Sequence, residues 1–272
     1  MKKYFLFIFV SVLVLMMGCV GDDPAGPEDP EGTLPVVTGL TIDESASEER
    51  TVYLSWDPVT SEEIDGYYVW FKSNGSGNWD KISTTSNTSC THEASCAGDY
   101  VVTAYEGENT SSADSDSVTT LPNFVPATYT IWDFHAPEDE YSGFKFGANS
   151  GEYRYASTST DFDVYCYDGG GGYDTWLYSG DYGTYGNGYD TDIWDDLVSN
   201  AYPDGYPSGS WNHGYVSAGD IFICELSHGY FVKMYITTVM VHPDQPAAYG
   251  FSFYYDWQPI NGLYLFTEAS SL

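Results

Sequence analysis

The stretch Gly98-Asp99-Tyr100-Val101-Val102-Thr103-Ala104-Tyr105 is rich in the aromatic and β-branched residues that favour strands. Two similar runs precede it, Val52-Tyr53-Leu54-Ser55-Trp56-Asp57-Pro58 and Gly66-Tyr67-Tyr68-Val69. Gly, Ser, Asn and Asp interrupt such runs roughly every 8 to 12 residues, and the period of a helix is absent from this part of the sequence. The pattern predicts an antiparallel β-sandwich over residues 35–122.

The order of these runs resembles a fibronectin type III domain. Pro35 with Thr38-Gly39-Leu40 is similar to the first strand of that family, Trp56 to its buried tryptophan and Tyr100 to the tyrosine of its corner motif. The resemblance implies a spacer or a domain that docks a partner. The fold by itself does not specify a function, and the chain contains no Arg-Gly-Asp sequence that would indicate integrin-type adhesion.

Charge and composition exclude one class of partner. The 272 residues include 8 Lys and Arg against 40 Asp and Glu, which gives a formal net charge of -32. A field of this sign repels phosphate backbones, so we expect no binding to nucleic acid. The chain is also 42% hydrophobic and 18% aromatic, which predicts that most of it folds around a core.

The N-terminus predicts export and lipid anchoring. Lys2 and Lys3 precede an apolar run that is shorter than a membrane-spanning helix needs, so residues 1–18 have the form of a signal peptide. The run ends in Leu15-Met16-Met17-Gly18-Cys19, which resembles a bacterial lipobox and implies lipidation of Cys19. Residues 19–34 form an acidic, Pro- and Gly-rich tether. We therefore expect attachment to a membrane at the bacterial outer membrane or cell surface; the alternative is an ordinary secretory peptide with an incidental cysteine.

The remaining cysteines form an even set. Once Cys19 is assigned to lipid, Cys90, Cys96, Cys166 and Cys224 are left in an oxidising compartment. We expect a disulfide between Cys90 and Cys96 and another between Cys166 and Cys224, since neither would cross the module boundary. Their spacing does not match a zinc site.

Residues 123–272 have a different composition, with 20 of the 26 Tyr and five of the eight Trp. Apolar and aromatic runs predict strands over 129–134, 142–146, 162–167, 221–226, 230–241 and 249–257, with one short helix at 192–200. The exported chain is thus expected to be all-β: a fibronectin type III sandwich, then a mostly antiparallel β domain with at most one short helix.

Several segments in this second part resemble, in order, the HmuY-like lipoprotein domain. They are Ser142-Gly143-Phe144-Lys145-Phe146, Thr160-Asp161-Phe162-Asp163-Val164, Gly219-Asp220-Ile221-Phe222-Ile223, His228-Gly229-Tyr230-Phe231-Val232-Lys233-Met234 and Phe251-Ser252-Phe253-Tyr254-Tyr255-Asp256-Trp257-Gln258-Pro259. The resemblance implies that a surface lipoprotein binds haem through His or Met axial ligands. Candidate ligands are His213, His135, His228 and Met234, and His213 has the most suggestive surroundings, beside Trp211 and Tyr215. The alternative is that these histidines are ordinary surface residues.

The loops from residue 168 to 196 combine aromatic and acidic residues. Carboxylates that could bind calcium are Asp190, Asp192, Asp195 and Asp196. Aromatic rings that could stack on sugars are Trp176, Tyr178, Tyr182, Tyr185, Tyr189 and Trp194. Alternatively, the acids form a solvated loop, and the rings pack on one another while their hydroxyls stay in water.

Catalytic signatures are absent from the sequence. It has no Gly-x-Ser-x-Gly, His-Glu-x-x-His, phosphate loop or dinucleotide fingerprint. We therefore expect a non-catalytic surface lipoprotein whose C-terminal domain binds a ligand. Haem is the ligand that the resemblance implies, and glycan binding or adhesion to another surface protein, with calcium stabilising the aromatic loops, is the alternative from the residues themselves.

Overall fold

The computed structural model describes residues 34–60, 64–111, 114–168, 175–183, 186–194 and 212–266. Within these ranges the regular structure consists of strands in antiparallel sheets, without a helix. The all-β prediction is confirmed. Among the same residues, no helix has the length and apolar character needed to cross a membrane. Cys19 and the tether to residue 33 lie outside the described residues, so the anchor stays a prediction.

The first module, residues 35–122, is built from two small sheets. Their strands are β1 (Thr41–Ile42), β2 (Thr51–Ser55), β3 (Gly66–Ser73), β4 (Asp80–Thr85), β5 (Ser89–Glu93), β6 (Gly98–Glu106), β7 (Asn109–Thr110) and β8 (Val118–Thr119). One sheet has the order β1-β2-β5 and the other β4-β3-β6-β7, with β8 also paired to β6. The three runs that led to the sandwich prediction are β2, β3 and β6. Trp56 and Tyr100 are both buried in the core.

The strands between residues 123 and 257 form two larger sheets, which we call the second module. Its strands are β9 (Asn123–Trp132), β10 (Gly143–Lys145), β11 (Glu152–Arg154), β12 (Val164–Tyr167), β13 (Trp176–Ser179), β14 (Thr191–Trp194), β15 (His213–Tyr215), β16 (Ile221–Leu226), β17 (Phe231–Val241) and β18 (Tyr249–Trp257). One sheet has the order β14-β16-β17-β18-β9. We call the other, β11-β10-β12-β13-β15, the aromatic sheet. Alternate residues from both sheets form one core, which includes Phe144, Phe222 and Phe253.

The predicted helix at 192–200 is wrong over the part that the structure describes. Thr191–Trp194 is strand β14, paired with β16 so that Ile193 lies opposite Cys224. Thr191 and Ile193 are buried and Asp192 is half-buried. This alternation is the period of a strand, and long-range pairing with β16 overrides the local preference for a helix. Residues 195–200 lie outside the described residues.

The cysteines at 90, 96, 166 and 224 are free thiols, so the structure does not contain the predicted disulfides. Cys166 and Cys224 are fully buried in the core of the second module, on strands of different sheets. Burial raises the pKa of both thiols, which keeps them protonated and makes each a small apolar side chain.

The last described segment packs against the first module. Ile260, Leu263 and Leu265 are buried in the same core as Trp56 and Tyr100. Backbone hydrogen bonds hold the segment there: Glu49 N–H donates to Gly262 O at 2.8 Å and Ala97 N–H to Phe266 O at 3.2 Å. Residues that follow the final strand of the second module therefore complete the core of the first.

Candidate functional site

The aromatic sheet turns two rows of rings away from the core. In β12, Val164 and Cys166 point into the core, so Tyr165 and Tyr167 point to the opposite side. Strand pairing places Tyr165 beside Tyr178 and Tyr178 beside His213, while Tyr167 lies beside Trp176 and Trp176 beside Tyr215. We call these six residues the aromatic face: Tyr165, Tyr167, Trp176, Tyr178, His213 and Tyr215.

Neighbouring rings of the aromatic face are in contact. Ring centroids lie 5.3 Å apart for Tyr165 and Tyr178, 5.2 Å for Tyr178 and His213, and 5.6 Å for Trp176 and Tyr215. These are the distances of stacked and edge-to-face aromatic pairs. The solvent-exposed fraction of the residue rises across the aromatic face, from 1% for Tyr165 to 46% for Tyr215. The face therefore offers a preformed set of rings that opens to solvent towards β15.

A turn after β13 adds a seventh ring to the aromatic face. Tyr182 lies nearly parallel to His213, with centroids 4.9 Å apart and an interplanar angle of 9°, and it also stacks on Tyr178 at 5.6 Å. Its backbone is fixed because its carbonyl accepts a hydrogen bond of 2.7 Å from the Tyr165 hydroxyl. The imidazole Nδ1 of His213 is buried and has no hydrogen-bond partner in the described structure.

The structure brings together three of the predicted sugar-stacking rings, Trp176, Tyr178 and Tyr182. Tyr189 lies elsewhere, since its hydroxyl donates to Asp161 at 2.9 Å and Lys145 Nζ sits 5.5 Å from its ring centre. Trp194 is on strand β14 of the other sheet, and Tyr185 lies outside the described residues. Our prediction did not include Tyr165, Tyr167 or Tyr215, although the alternation in Val164–Tyr167 is the signal that finds the first two.

The predicted haem ligands lie in different places. His213 is on the aromatic face, and the His135 ring lies 5.5 Å from that of Tyr167 at the edge of the face. His228 is in the turn after β16, against the rings of Tyr230 and Trp257. Met234 is fully buried between the two sheets. Its side chain packs among core residues, and its role as a haem ligand stays a prediction.

Two of the four predicted calcium ligands, Asp190 and Asp192, lie within the described residues. Asp190 is exposed, and its pKa is raised by partial burial and by the nearby charges of Asp181 and Asp192. Asp195 and Asp196 lie outside the described residues. Among the residues that are described, the group with three possible metal ligands close together is instead Asp133, His135 and Asp168. The calcium site at residues 190–196 stays a prediction.

Two aspartates just before strand β12 have opposite pKa shifts. Hydrogen bonds from Lys145, Tyr189 and Arg154 lower the pKa of the half-exposed Asp161 to about 2. Burial raises the pKa of Asp163 to about 6, although its Oδ2 accepts a hydrogen bond of 2.8 Å from the Phe146 amide. Asp163 is therefore destabilising when ionised.

We expect the substitution Asp163→Asn to flatten the dependence of stability on pH. A buried carboxyl with a pKa of about 6 binds its proton more tightly in the folded than in the unfolded chain, so stability falls as the pH rises from about 4 to about 6. The cost to the wild type is on the order of 3 kcal/mol at pH 7. Asparagine keeps the acceptor for Phe146 without the charge, and urea unfolding at several pH values measures the difference.

The matched control is Asp161→Asn. The pKa of Asp161 is lowered, so its stabilising effect is present above about pH 4 and is lost only as the pH falls towards 2. This variant should keep the wild-type slope between pH 4 and 7. If Asp163→Asn and the wild type had the same slope over that window, the assigned burial of Asp163 would be wrong.

Comparison with known proteins finds only weak structural likenesses. No protein-family model matches the chain, and no curated protein matches it. Among solved structures it is similar to a myokine, at 16% identity and a TM-score of 0.27 over 32% of this chain and 95% of that chain. It is also similar to the FN1–FN3 domains of chicken CNTN1, at 10% identity and a TM-score of 0.21, over 77% of this chain and 60% of that chain. Both TM-scores are low, so the all-β, antiparallel architecture rests on the described strands and sheets of the chain itself.

Proposed function

We propose that this chain is a non-catalytic, lipid-anchored bacterial surface lipoprotein whose C-terminal β domain binds a glycan on the aromatic face. One observation carries the proposal. Neighbouring strands β12, β13 and β15 align their outward aromatic residues in two cross-strand rows, and Tyr182 stacks beside them. Rings held in this way by a sheet need no rearrangement to receive a flat ligand, which lowers the cost of binding.

The chemistry of the aromatic face suits a sugar ring. The apolar side of a saccharide offers C–H groups to an aromatic plane, and its hydroxyls need acceptors nearby. In the sequence, Asp168 directly follows Tyr167 and Asp181 directly precedes Tyr182, so residues adjacent to the rings supply two carboxylates as acceptors. The net charge of -32 repels anionic ligands. The saccharide expected here is therefore neutral or carries amino groups.

The other parts of the chain fit presentation of this domain at a surface. The lipobox-like sequence at Cys19 and the tether to residue 34 supply an anchor and a flexible spacer. The fibronectin-like module adds a folded spacer between the anchor and the aromatic face. The closing segment, with Leu263 and Leu265 in the core of the first module, couples the two modules. Such an arrangement holds the binding domain at a distance from the bilayer.

Haem is the second candidate, and one observation favours it. His213 lies in the aromatic face, stacked on Tyr178, and the His135 ring contacts Tyr167, so the face has one imidazole within it and another beside it. The resemblance to the HmuY-like domain implies the same ligand. A haem held between these histidines would use the rings as its apolar wall.

The experiment screens the purified full chain on an array of neutral, amino-bearing and sialylated glycans, and titrates a second sample with haem. We expect binding to neutral or amino-bearing glycans, with the sialylated ones weaker because of the charge of the protein. The ligand would be haem, and not a glycan, if no glycan on the array bound and if haem gave a shifted Soret band that His213→Ala abolishes. If neither ligand bound, the aromatic face would not be a site for either class.

A further inference from the structure

Two segments from different sheets meet at the edge of the aromatic face. Asp133, which directly follows β9, donates its amide to Tyr249 O of β18 at 2.6 Å. It also forms a bridge with Cys166 of β12, and the next residue, Phe134, donates its amide to Cys166 O at 3.0 Å. Backbone pairing thus brings the residues after β9 alongside the end of β12, where Asp168 follows.

This junction brings together one imidazole and two carboxylates. His135 Nδ1 lies 3.2 Å from Asp133 Oδ1 and 3.8 Å from Asp168 Oδ1, and the three potential ligand atoms all lie within 4.8 Å of one another. Metal–ligand bonds of about 2.0–2.2 Å in a tetrahedron place ligand atoms roughly 3.3 Å apart. The side chains therefore already lie near the separation that a small divalent cation imposes.

A buried oxygen provides an independent indication of a missing ligand. The side chain of Asp133 is 1% exposed, and its Oδ2 has no hydrogen-bond partner within the described part of the chain. An unsatisfied carboxylate oxygen that is shielded from water is costly to keep.

We propose that Asp133, His135 and Asp168 form a binding site for a divalent transition-metal ion such as zinc. A nitrogen ligand with two carboxylate oxygens suits zinc and its neighbours in the first transition series better than calcium, which prefers oxygen ligands throughout. Three protein ligands leave a coordination position open. The half-exposed His135, which contacts Tyr167, places that position beside the aromatic face. The metal site does not depend on glycan binding by the aromatic face, whereas haem would compete with the metal ion for His135.

The test is a calorimetric titration of the chelator-treated full chain with Zn²⁺. We expect one tight equivalent and a higher Tm in its presence. His135→Gln and Asp168→Asn should each weaken binding by about tenfold or more, because loss of even an indirect partner of a metal ligand typically costs about 10–100-fold. These two side chains are 46% and 14% exposed, so both variants should fold even if Asp133→Asn does not.

Control variants and spectroscopy separate this site from adventitious binding. His228→Gln and the exposed Asp244→Asn change the same residue types elsewhere and should leave affinity unchanged. X-ray absorption of the zinc-loaded chain should show nitrogen and oxygen ligands without sulfur. The proposal is overturned if no equivalent binds, if sulfur from the free cysteines holds the zinc, or if His135→Gln and Asp168→Asn bind as tightly as the wild type.

Discussion

Replacing Phe144 by alanine is expected to lower the free energy of unfolding of the second module by about 3–5 kcal/mol. Phe144 is fully buried where the two sheets meet. Its ring centroid lies 4.6 Å from that of Tyr129 and 4.9 Å from that of Phe253. Alanine would leave a cavity that close-packed neighbours fill only in part, so both the buried apolar area and the ring contacts are lost. Denaturant unfolding measures the change.

The matched control for this cavity is Tyr215→Ala on the opposite side of the aromatic sheet. Tyr215 is 46% exposed, so its loss should change stability by less than about 1 kcal/mol. A loss below about 1 kcal/mol for Phe144→Ala as well would contradict the description of the two sheets as one closed core.

The double substitution Leu263→Ala with Leu265→Ala is expected to destabilise the first module, although both residues follow the second. Each leucine is fully buried in the core that holds Trp56 and Tyr100. A buried Leu→Ala change costs about 2–5 kcal/mol, so the pair removes a large share of the stability of a small domain. Hydrogen exchange followed by mass spectrometry should show faster exchange in β6 of the first module.

Leu226→Ala serves as the counterpart, since Leu226 is buried in the core of the second module. It should speed exchange in β17 and leave β6 close to the wild type. If the double leucine variant left β6 unchanged, the return of the C-terminal segment to the first module would be wrong.

The local sequence predicts the strands well. The predictions that failed concern segments whose structure depends on contacts with residues far away in the sequence. The run at residues 98–105 indicates β6 because alternation and β-branched residues suffice to identify a strand. The helix at 192–200 failed because pairing between Ile193 and Cys224, 31 positions away, decides the conformation of β14. The docking of Leu263 and Leu265 on the first module could not be predicted, since no local pattern records which core an apolar residue joins.

The candidate site was predictable only in part, because some of its residues share one strand and others meet only through pairing between strands. Trp176 and Tyr178 were identified from composition, and they lie on one face because residues two apart in a strand share a side. Their partners Tyr167 and Tyr215 depend on register between strands, which the sequence does not display. Asp133 and Asp168 are 35 positions apart and meet only through the bridge beside Cys166.

The most direct test of the account compares sugar binding by Trp176→Ala with that by Trp79→Ala, using calorimetry with the strongest array ligand. Both residues are half-buried tryptophans, but Trp176 lies in the aromatic face and Trp79 lies in the first module near Lys72. Loss of a central aromatic contact should weaken binding by about tenfold or more, or at least ~1.4 kcal/mol. The account predicts this loss for Trp176→Ala and wild-type affinity for Trp79→Ala. Equal affinities for both variants would contradict it.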